Sequence, residues 1–189
     1  MLDILVVCTA NVGRSPLFAV LLQGHADGRL GRGVVTVGSA GTDARAGDPA
    51  AEGSRRVAAG WGLSLDQHRA TPARFIALDD VALVVTMTRR QRKVIAAHRP
   101  ELAPRTFALR ELLAAVDAIE GALPPPNTPR DRITAVVASA DSQRPRSRLR
   151  RHVDVPDPSG GDQRVYDTLG DEFAAAAVRL ADPLFGPAR

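Results

Sequence analysis

The chain has 189 residues, of which 44% are hydrophobic and 24% charged, a balance typical of one globular domain and inconsistent with a disordered or collagen-like chain. No apolar run approaches the roughly 18 residues that span a bilayer, and the N-terminus lacks the basic start of a secretory signal peptide. The single cysteine, Cys8, excludes an intrachain disulfide and fits a reducing cytoplasm, so we expect a cytoplasmic protein of one domain (1–189) with no membrane contact.

The net charge of +4 is due to arginine, since Lys93 is the only lysine. The strongest signals of nucleic-acid binding are missing: there is no zinc-ligand spacing and no heptad array, and aromatic residues make up only 4%. We therefore expect no nucleic-acid partner and a monomer. Part of the excess charge is local, in the cluster Arg144, Arg146, Arg148, Arg150 and Arg151.

Apolar β-branched runs alternate with helical patterns along the chain. Strands are predicted at 2–7, 33–38, 81–87 and 106–109. Helices are predicted to start at the Ser15-Pro16 pair, a good N-cap and first-turn combination, and to follow at 50–60, 89–99, 109–119 and 163–181. This alternation predicts an α/β fold with a parallel sheet, whose functional groups lie at the carboxyl ends of the strands.

Residues 121–152 interrupt this alternation. The segment opens with three prolines, has a modest helical pattern at about 129–140, and ends in the arginine cluster. Its second half has no strong periodic apolar face. We interpret 121–152 as a Pro- and Arg-rich surface insertion, partly helical and partly mobile.

The loop after the first strand combines a thiol with anion-binding groups. Cys8 leaves the strand, Arg14 follows six residues later, and the predicted helix starts there. Backbone N–H groups and the helix dipole favour an anion at such a position, and the arginine fork matches two oxygens of a tetrahedral oxyanion. The same donors favour the thiolate, and Ser15 can donate its hydroxyl to it. Asn11 tolerates the left-handed conformation that a tight loop requires.

A nucleophile that displaces a phosphate ester also needs a proton donor for the leaving oxygen. Asp157 is the candidate, because Pro156 and Pro158 stiffen its segment and can aim the carboxylate at a cleft. On local grounds Asp154 and Asp162 compete for the same role.

The loop and four other segments resemble, in order, the low molecular weight protein tyrosine phosphatases. Residues 7–16 (V-C-T-A-N-V-G-R-S-P) are similar to that family's V-C-x-G-N-x-C-R-S-P signature. Residues 39–42 resemble its S-A-G-T segment, and 62–70 its G-I-D-x-S-x-H-x-A-R region. The strand end at 85–88 and the Asp-Pro pair at 157–158 match its middle strand and its general-acid loop.

The resemblance implies a four-stranded parallel sheet with helices on both faces and a phosphate-binding loop after the first strand. Cys8 would be the nucleophile that forms a phosphocysteine, and Asp157 the acid and then the base. Ser15 would stabilise the thiolate. Asn11 would maintain the conformation of the loop, supported by a hydrogen bond from His68 on the far side of the loop. No cofactor or metal is implied. Phosphate would lie against the loop residues Thr9, Ala10, Asn11, Val12, Gly13, Arg14 and Ser15.

Four positions depart from the family pattern. Ala10 replaces a loop glycine, and Gly13 replaces the second loop cysteine. Arg45 and Ser159 stand where aromatic or apolar residues often wall the pocket around a phosphotyrosine ring. Losing these two walls leaves the phosphate chemistry intact, but the choice between phosphotyrosine and small phosphates stays open.

The leading interpretation is a phosphomonoester hydrolase, with protein phosphotyrosine as the default substrate and small phosphomonoesters as the other class. The alternative is an arsenate reductase that uses an external small thiol, since a cysteine relay needs two further cysteines that the chain lacks. A third class, a phosphoprotein-binding module without catalysis, is disfavoured by the presence of Asp157.

Overall fold

The computed structural model describes residues 2–119, 126–144 and 153–188. The strands are β1 (Ile4–Cys8), β2 (Val37–Gly41), β3 (Leu83–Thr86) and β4 (Thr106–Ala108). The helices are α1 (Arg14–Leu30), α2 (Glu52–Gly60), α3 (Arg89–His98), α4 (Leu109–Asp117), α5 (Pro129–Gln143) and α6 (Gln163–Phe185), with 3-10 segments at Ala73–Phe75 and Pro100–Arg105.

The four strands form one parallel sheet in the order β2-β1-β3-β4, which confirms the predicted fold. All five residues of the central strand β1 are buried, as expected for a strand covered on both faces. Ile4, Val6 and Cys8 face the core formed with α1 and α6. Leu5 and Val7 face the second core, which α3 and the two 3-10 segments cover.

Two predicted boundaries are wrong because packing outweighs local propensity. The second strand is β2, four residues later than the predicted start at 33, because Ser39, Ala40 and Gly41 pair with the last residues of β1. Such small residues have low strand propensity, but the pairing fixes them. The last helix passes Pro183 and ends at Phe185, since Ala181, Leu184 and Phe185 are buried.

The start of α1 also differs from the prediction. The helix begins at Arg14, and the N-cap residue is Gly13, which makes no side-chain capping bond. Ser15 therefore lies inside the first turn, and its hydroxyl contacts Cys8 instead of a backbone amide.

Helix α5 lies within the segment interpreted as a surface insertion, but its apolar face is buried. Ile133, Val136, Val137 and Ala140 recur at helical spacing and belong to the main core. This part of the segment therefore contributes to the core, which differs from the surface location that its sequence suggested. The prolines at 124 and 125 and the last four arginines of the cluster (146, 148, 150 and 151) lie outside the described residues.

Arg144 connects the end of α5 to the sheet through side-chain contacts. Its guanidinium lies 3.7 Å from the centre of the Phe107 ring of β4 and donates to the carbonyl oxygens of Ala103 and Pro104 at 3.1 Å. Arg144, the described member of the arginine cluster, is thus a packing residue. In the described part of the chain, no helix has the length and apolar character needed to cross a membrane.

The conclusion that α5 belongs to the core can be tested by measuring stability. Ile133→Ala should lower the free energy of unfolding by about 2–5 kcal/mol, because it removes buried methyl groups and leaves a cavity. The exposed Thr134→Ala in the same turn should change it by no more than about 0.5 kcal/mol. Urea unfolding followed by circular dichroism measures both, and equal small effects would place α5 on the surface.

Candidate active site

The site is built around the Cys8 thiol at the carboxyl end of β1. The thiol is buried, and its sulfur accepts a hydrogen bond from the Asn11 backbone N–H at 3.2 Å. Ser15 Oγ lies 3.0 Å from the same sulfur. Asn11 Nδ2 donates to Ser15 Oγ at 2.9 Å, so the single hydroxyl hydrogen of Ser15 has two acceptors within reach, the Ala40 carbonyl oxygen at 3.3 Å and the sulfur. An ionised sulfur is the stronger acceptor of the two, so the hydroxyl can donate to a thiolate.

Asn11 holds the loop in its turned form. Among the described residues, it is the only one other than glycine with a positive φ, at 57°. Its side-chain amide donates to Ser15 and Ser39, both at 2.9 Å, and its side-chain oxygen accepts from the Thr71 N–H at 2.8 Å. These three bonds offset the cost of the left-handed conformation, about 1–2 kcal/mol, and they require an amide side chain.

His68 supports the same residue from behind the loop, where the resemblance places it. Its Nε2–H donates to the Asn11 carbonyl oxygen at 2.7 Å. Burial lowers the pKa of His68, and the charge of Arg69 acts in the same direction, while the bond to the Asn11 carbonyl opposes both. The lowered pKa favours a neutral ring with its proton on the nitrogen that bonds the loop.

Gly41 lets β2 approach the loop closely. A Cβ on this residue would overlap the carbonyl oxygen of Thr9 and lie 3.0 Å from the amide nitrogen of Asn11. The neighbouring Thr42 N–H donates to the Cys8 carbonyl oxygen at 2.9 Å. Only glycine therefore fits this contact without moving the loop.

Arg14 joins the loop to a segment far away in the sequence. Its side chain is only 6% exposed. One guanidinium nitrogen donates to the Val155 carbonyl oxygen at 3.1 Å and the other to Asp157 Oδ2 at 2.5 Å. The structure thus brings together Cys8, Arg14 and Asp157, the three residues that sequence reasoning chose for the chemistry.

The two competing carboxylates have other partners. Asp154 Oδ1 accepts from the backbone N–H of Arg89, and Asp162 caps α6 by accepting from the N–H of Arg164. Among the three candidates, Asp157 is the one bonded to Arg14. Its carboxylate is half exposed, which suits a group that must meet a substrate.

The two loop residues that depart from the family signature, Ala10 and Gly13, both fit the structure without steric conflict. Ala10 is exposed, so its methyl group displaces nothing. A Cβ on Gly13 would meet only Pro158 and Ser54 at 3.8 Å, an ordinary contact, so a larger residue is sterically possible there. Val12 is held by its carbonyl oxygen, which accepts from the Ala51 N–H at 2.7 Å.

Several supporting residues were missed by sequence reasoning. Ser39 and Thr71 bond Asn11, and Gln91 Nε2 donates to Thr9 Oγ1 at 3.0 Å. Gln91 had a detectable signal, since Thr88 and Gln91 form the capping box of α3. The contact of Thr71 uses its backbone N–H, which no side-chain pattern can reveal.

The arrangement suits an oxyanion and nucleophilic chemistry. A buried sulfur lies within reach of a backbone donor and a hydroxyl, the N-terminus of α1 adds positive potential, and a buried arginine faces a carboxylate. Within the described ranges, no group of three or more His, Cys, Asp or Glu residues is placed to hold a metal ion. Nucleophilic displacement at a tetrahedral centre is the chemistry that these groups support directly.

Comparison with known proteins gives consistent matches. The model of the family "Low molecular weight phosphotyrosine protein phosphatase" matches residues 3–143. A probable low molecular weight protein-tyrosine-phosphatase of Ralstonia solanacearum is 33% identical over 109 residues, which is 58% of this chain and 71% of that protein. A protein-arginine-phosphatase of Geobacillus stearothermophilus is 27% identical over 181 residues, 96% of this chain and 95% of that protein.

The fold is also found among solved structures. An arginine phosphatase from Geobacillus stearothermophilus superimposes with a TM-score of 0.68 at 26% identity, and the match covers 96% of this chain and 92% of that one.

The close approach at Gly41 can be tested directly. Gly41→Ala should weaken the binding of inorganic phosphate by about tenfold or more, because the added methyl group displaces the backbone that surrounds the anion. Gly28→Ala in α1 is the matched control, since a Cβ there meets nothing within 4 Å. Isothermal titration calorimetry measures both, and unchanged phosphate affinity in Gly41→Ala would contradict the geometry.

Proposed function

Since the chain belongs to the low molecular weight phosphotyrosine protein phosphatase family and is a hydrolase of that family, we propose that it hydrolyses phosphoryl esters through a phosphocysteine on Cys8. The observation that carries the proposal is that the thiol, its hydrogen-bond donors and the arginine that bonds Asp157 all belong to one loop and the start of the helix after it. The Cys8 sulfur has the Asn11 N–H and the Ser15 hydroxyl within 3.2 Å, while Arg14 bonds the candidate acid, Asp157.

In the first step the Cys8 thiolate attacks phosphorus, and the bond between phosphorus and the leaving oxygen breaks. Asp157 gives its proton to that oxygen, so the product leaves as a neutral alcohol or phenol. Arg14 turns its two donors from Val155 and Asp157 to the phosphoryl oxygens, where negative charge is spread over three atoms. The N–H groups of the loop and the dipole of α1 stabilise the same charge.

In the second step water attacks the phosphocysteine. Asp157, now ionised, accepts a proton from the water, and the sulfur–phosphorus bond breaks. Inorganic phosphate leaves and the thiolate is restored. The Ser15 hydroxyl stabilises the sulfur as a leaving group, because a hydrogen bond to an anion strengthens as charge builds on it.

A phosphorylated protein is the substrate class that the relatives support, and phosphotyrosine is the first candidate side chain. The R. solanacearum relative is named for that activity. Thr9, Arg45 and Ser159 are all exposed and polar. By resemblance, Arg45 and Ser159 occupy the positions where relatives often have aromatic walls. Discrimination between phosphotyrosine and small aryl phosphates should therefore be modest.

Phosphoarginine is the second candidate, because the relative that matches almost the whole chain is named for it. In phosphoarginine phosphorus is bonded to nitrogen, so Asp157 would give its proton to that nitrogen when the P–N bond breaks. The exposed hydroxyls of Thr9 and Ser159 can accept hydrogen bonds from guanidinium N–H groups. Phosphate release from matched phosphotyrosine and phosphoarginine peptides, compared as kcat/KM, separates the two candidates.

The role of Asp157 gives the main prediction. Asp157→Asn should lower kcat/KM for an aryl phosphate by about 10²–10⁴-fold, because the amide cannot donate the proton that the leaving oxygen needs. Phosphate binding should be close to that of the wild type. Asp154→Asn is the matched control, since an amide oxygen can still accept from the Arg89 N–H. A loss in Asp154→Asn with none in Asp157→Asn would reverse the assignment.

The proposed function itself is tested by Cys8→Ser. This variant should release no phosphate above background while keeping the fold. Arsenite formation that depends on a small thiol, measured with wild type and Cys8→Ser, tests the reductase alternative. Thiol-dependent arsenite production with no phosphate release would contradict the proposal.

A further inference from the structure

The two oxygens of the Asp157 carboxylate have different partners. Oδ2 bonds Arg14, while Oδ1 accepts from both the backbone N–H of Ser159 at 3.1 Å and the Ser159 hydroxyl at 2.8 Å. An exposed carboxylate with one anchor would rotate freely about its side-chain bonds. Here the second anchor is supplied by a residue two positions further along the chain.

The local sequence leaves Ser159 as the nearest residue after Asp157 with a backbone donor. Pro156 and Pro158 flank the aspartate, and proline has no N–H. The chain then turns: the Gly161 N–H donates to the Pro158 carbonyl oxygen at 2.9 Å, and Gly160 has a φ of +81°. This is the pattern of a type II turn with Ser159 at its second position, and it directs both donors of Ser159 back to the carboxylate.

Arg14 cannot hold Asp157 throughout the reaction, because the phosphoryl oxygens need the same guanidinium donors. When Arg14 turns to the phosphoryl group, Ser159 is the remaining partner of the carboxylate. The Ser159 N–H can only donate, so a proton on Oδ1 would break that hydrogen bond and force the Ser159 hydroxyl to reverse. The proton is therefore favoured on Oδ2. That oxygen is the one bonded to Arg14, which directly follows the Cys8 loop.

We propose that Ser159 is a positioning residue for the general acid, which holds Oδ1 of Asp157 so that Oδ2 transfers the proton. The proposal rests on the proposed function and adds a role for the residue that replaces an aromatic wall in this chain. The effect of Ser159 on the rate is largest for substrates with a poor leaving group, because these depend most on proton donation.

The test compares kcat/KM for phenyl phosphate, a poor leaving group, with that for p-nitrophenyl phosphate, a good one. Ser159→Ala should lower kcat/KM for phenyl phosphate by about two- to tenfold, the value of one hydrogen bond, and change the p-nitrophenyl value less. Ser159→Thr, which keeps the hydroxyl, should restore most of the loss. Ser64→Ala is the matched control: it removes another serine bond to an aspartate, Asp66 Oδ2 at 3.1 Å, and should leave both values unchanged.

A double-mutant cycle shows whether Ser159 acts through Asp157. In the Asp157→Asn background, Ser159→Ala should have no further effect on phenyl phosphate. The proposal is overturned if Ser159→Ala matches the wild type, if both substrates lose equally, or if the loss is the same in both backgrounds. Failure of the proposed acid is a separate outcome, because Asp157→Asn alone would then retain wild-type kcat/KM.

Discussion

The left-handed backbone of Asn11 is the constraint on which the site depends. It turns the chain directly after β1, so that the Asn11 N–H faces the Cys8 sulfur and the loop leads into α1. The conformation is costly for any residue with a Cβ. It is held by contacts from three separate segments: Ser15 in α1, Ser39 in β2, and the stretch with His68 and Thr71.

The second constraint is the contact between Arg14 and the segment before α6. The Val155 N–H donates to the carbonyl oxygen of Met87, the residue directly after β3, so the sheet fixes the start of the segment that contains Asp157. Arg14 then binds the Val155 carbonyl oxygen and Asp157, which joins the carboxylate to the first residue of α1. The Cys8 loop and the Asp157 segment are therefore positioned by the ends of the neighbouring strands β1 and β3.

The sequence was sufficient for the sheet and the order of helices, because the strand and helix patterns are local. Loop spacing and proline context also pointed to Cys8, Arg14 and Asp157, whose catalytic roles stay predictions. It misplaced β2, whose Ser-Ala-Gly residues become a strand only through pairing with β1. It also missed the buried face of α5, where four apolar positions are spread among polar ones. The bonds of Ser159 to Asp157 depend on a turn whose geometry no residue pattern fixes alone.

The central claim is that Cys8 carries the phosphoryl group during turnover. The most direct measurement is acid quenching of the enzyme with an aryl phosphate within one turnover, followed by peptide mass spectrometry. The account predicts one added phosphoryl group on the peptide that contains Cys8, and none in Cys8→Ser under the same conditions. Turnover with Cys8 unmodified at every quench time, or a phosphoryl group on another residue, would contradict it.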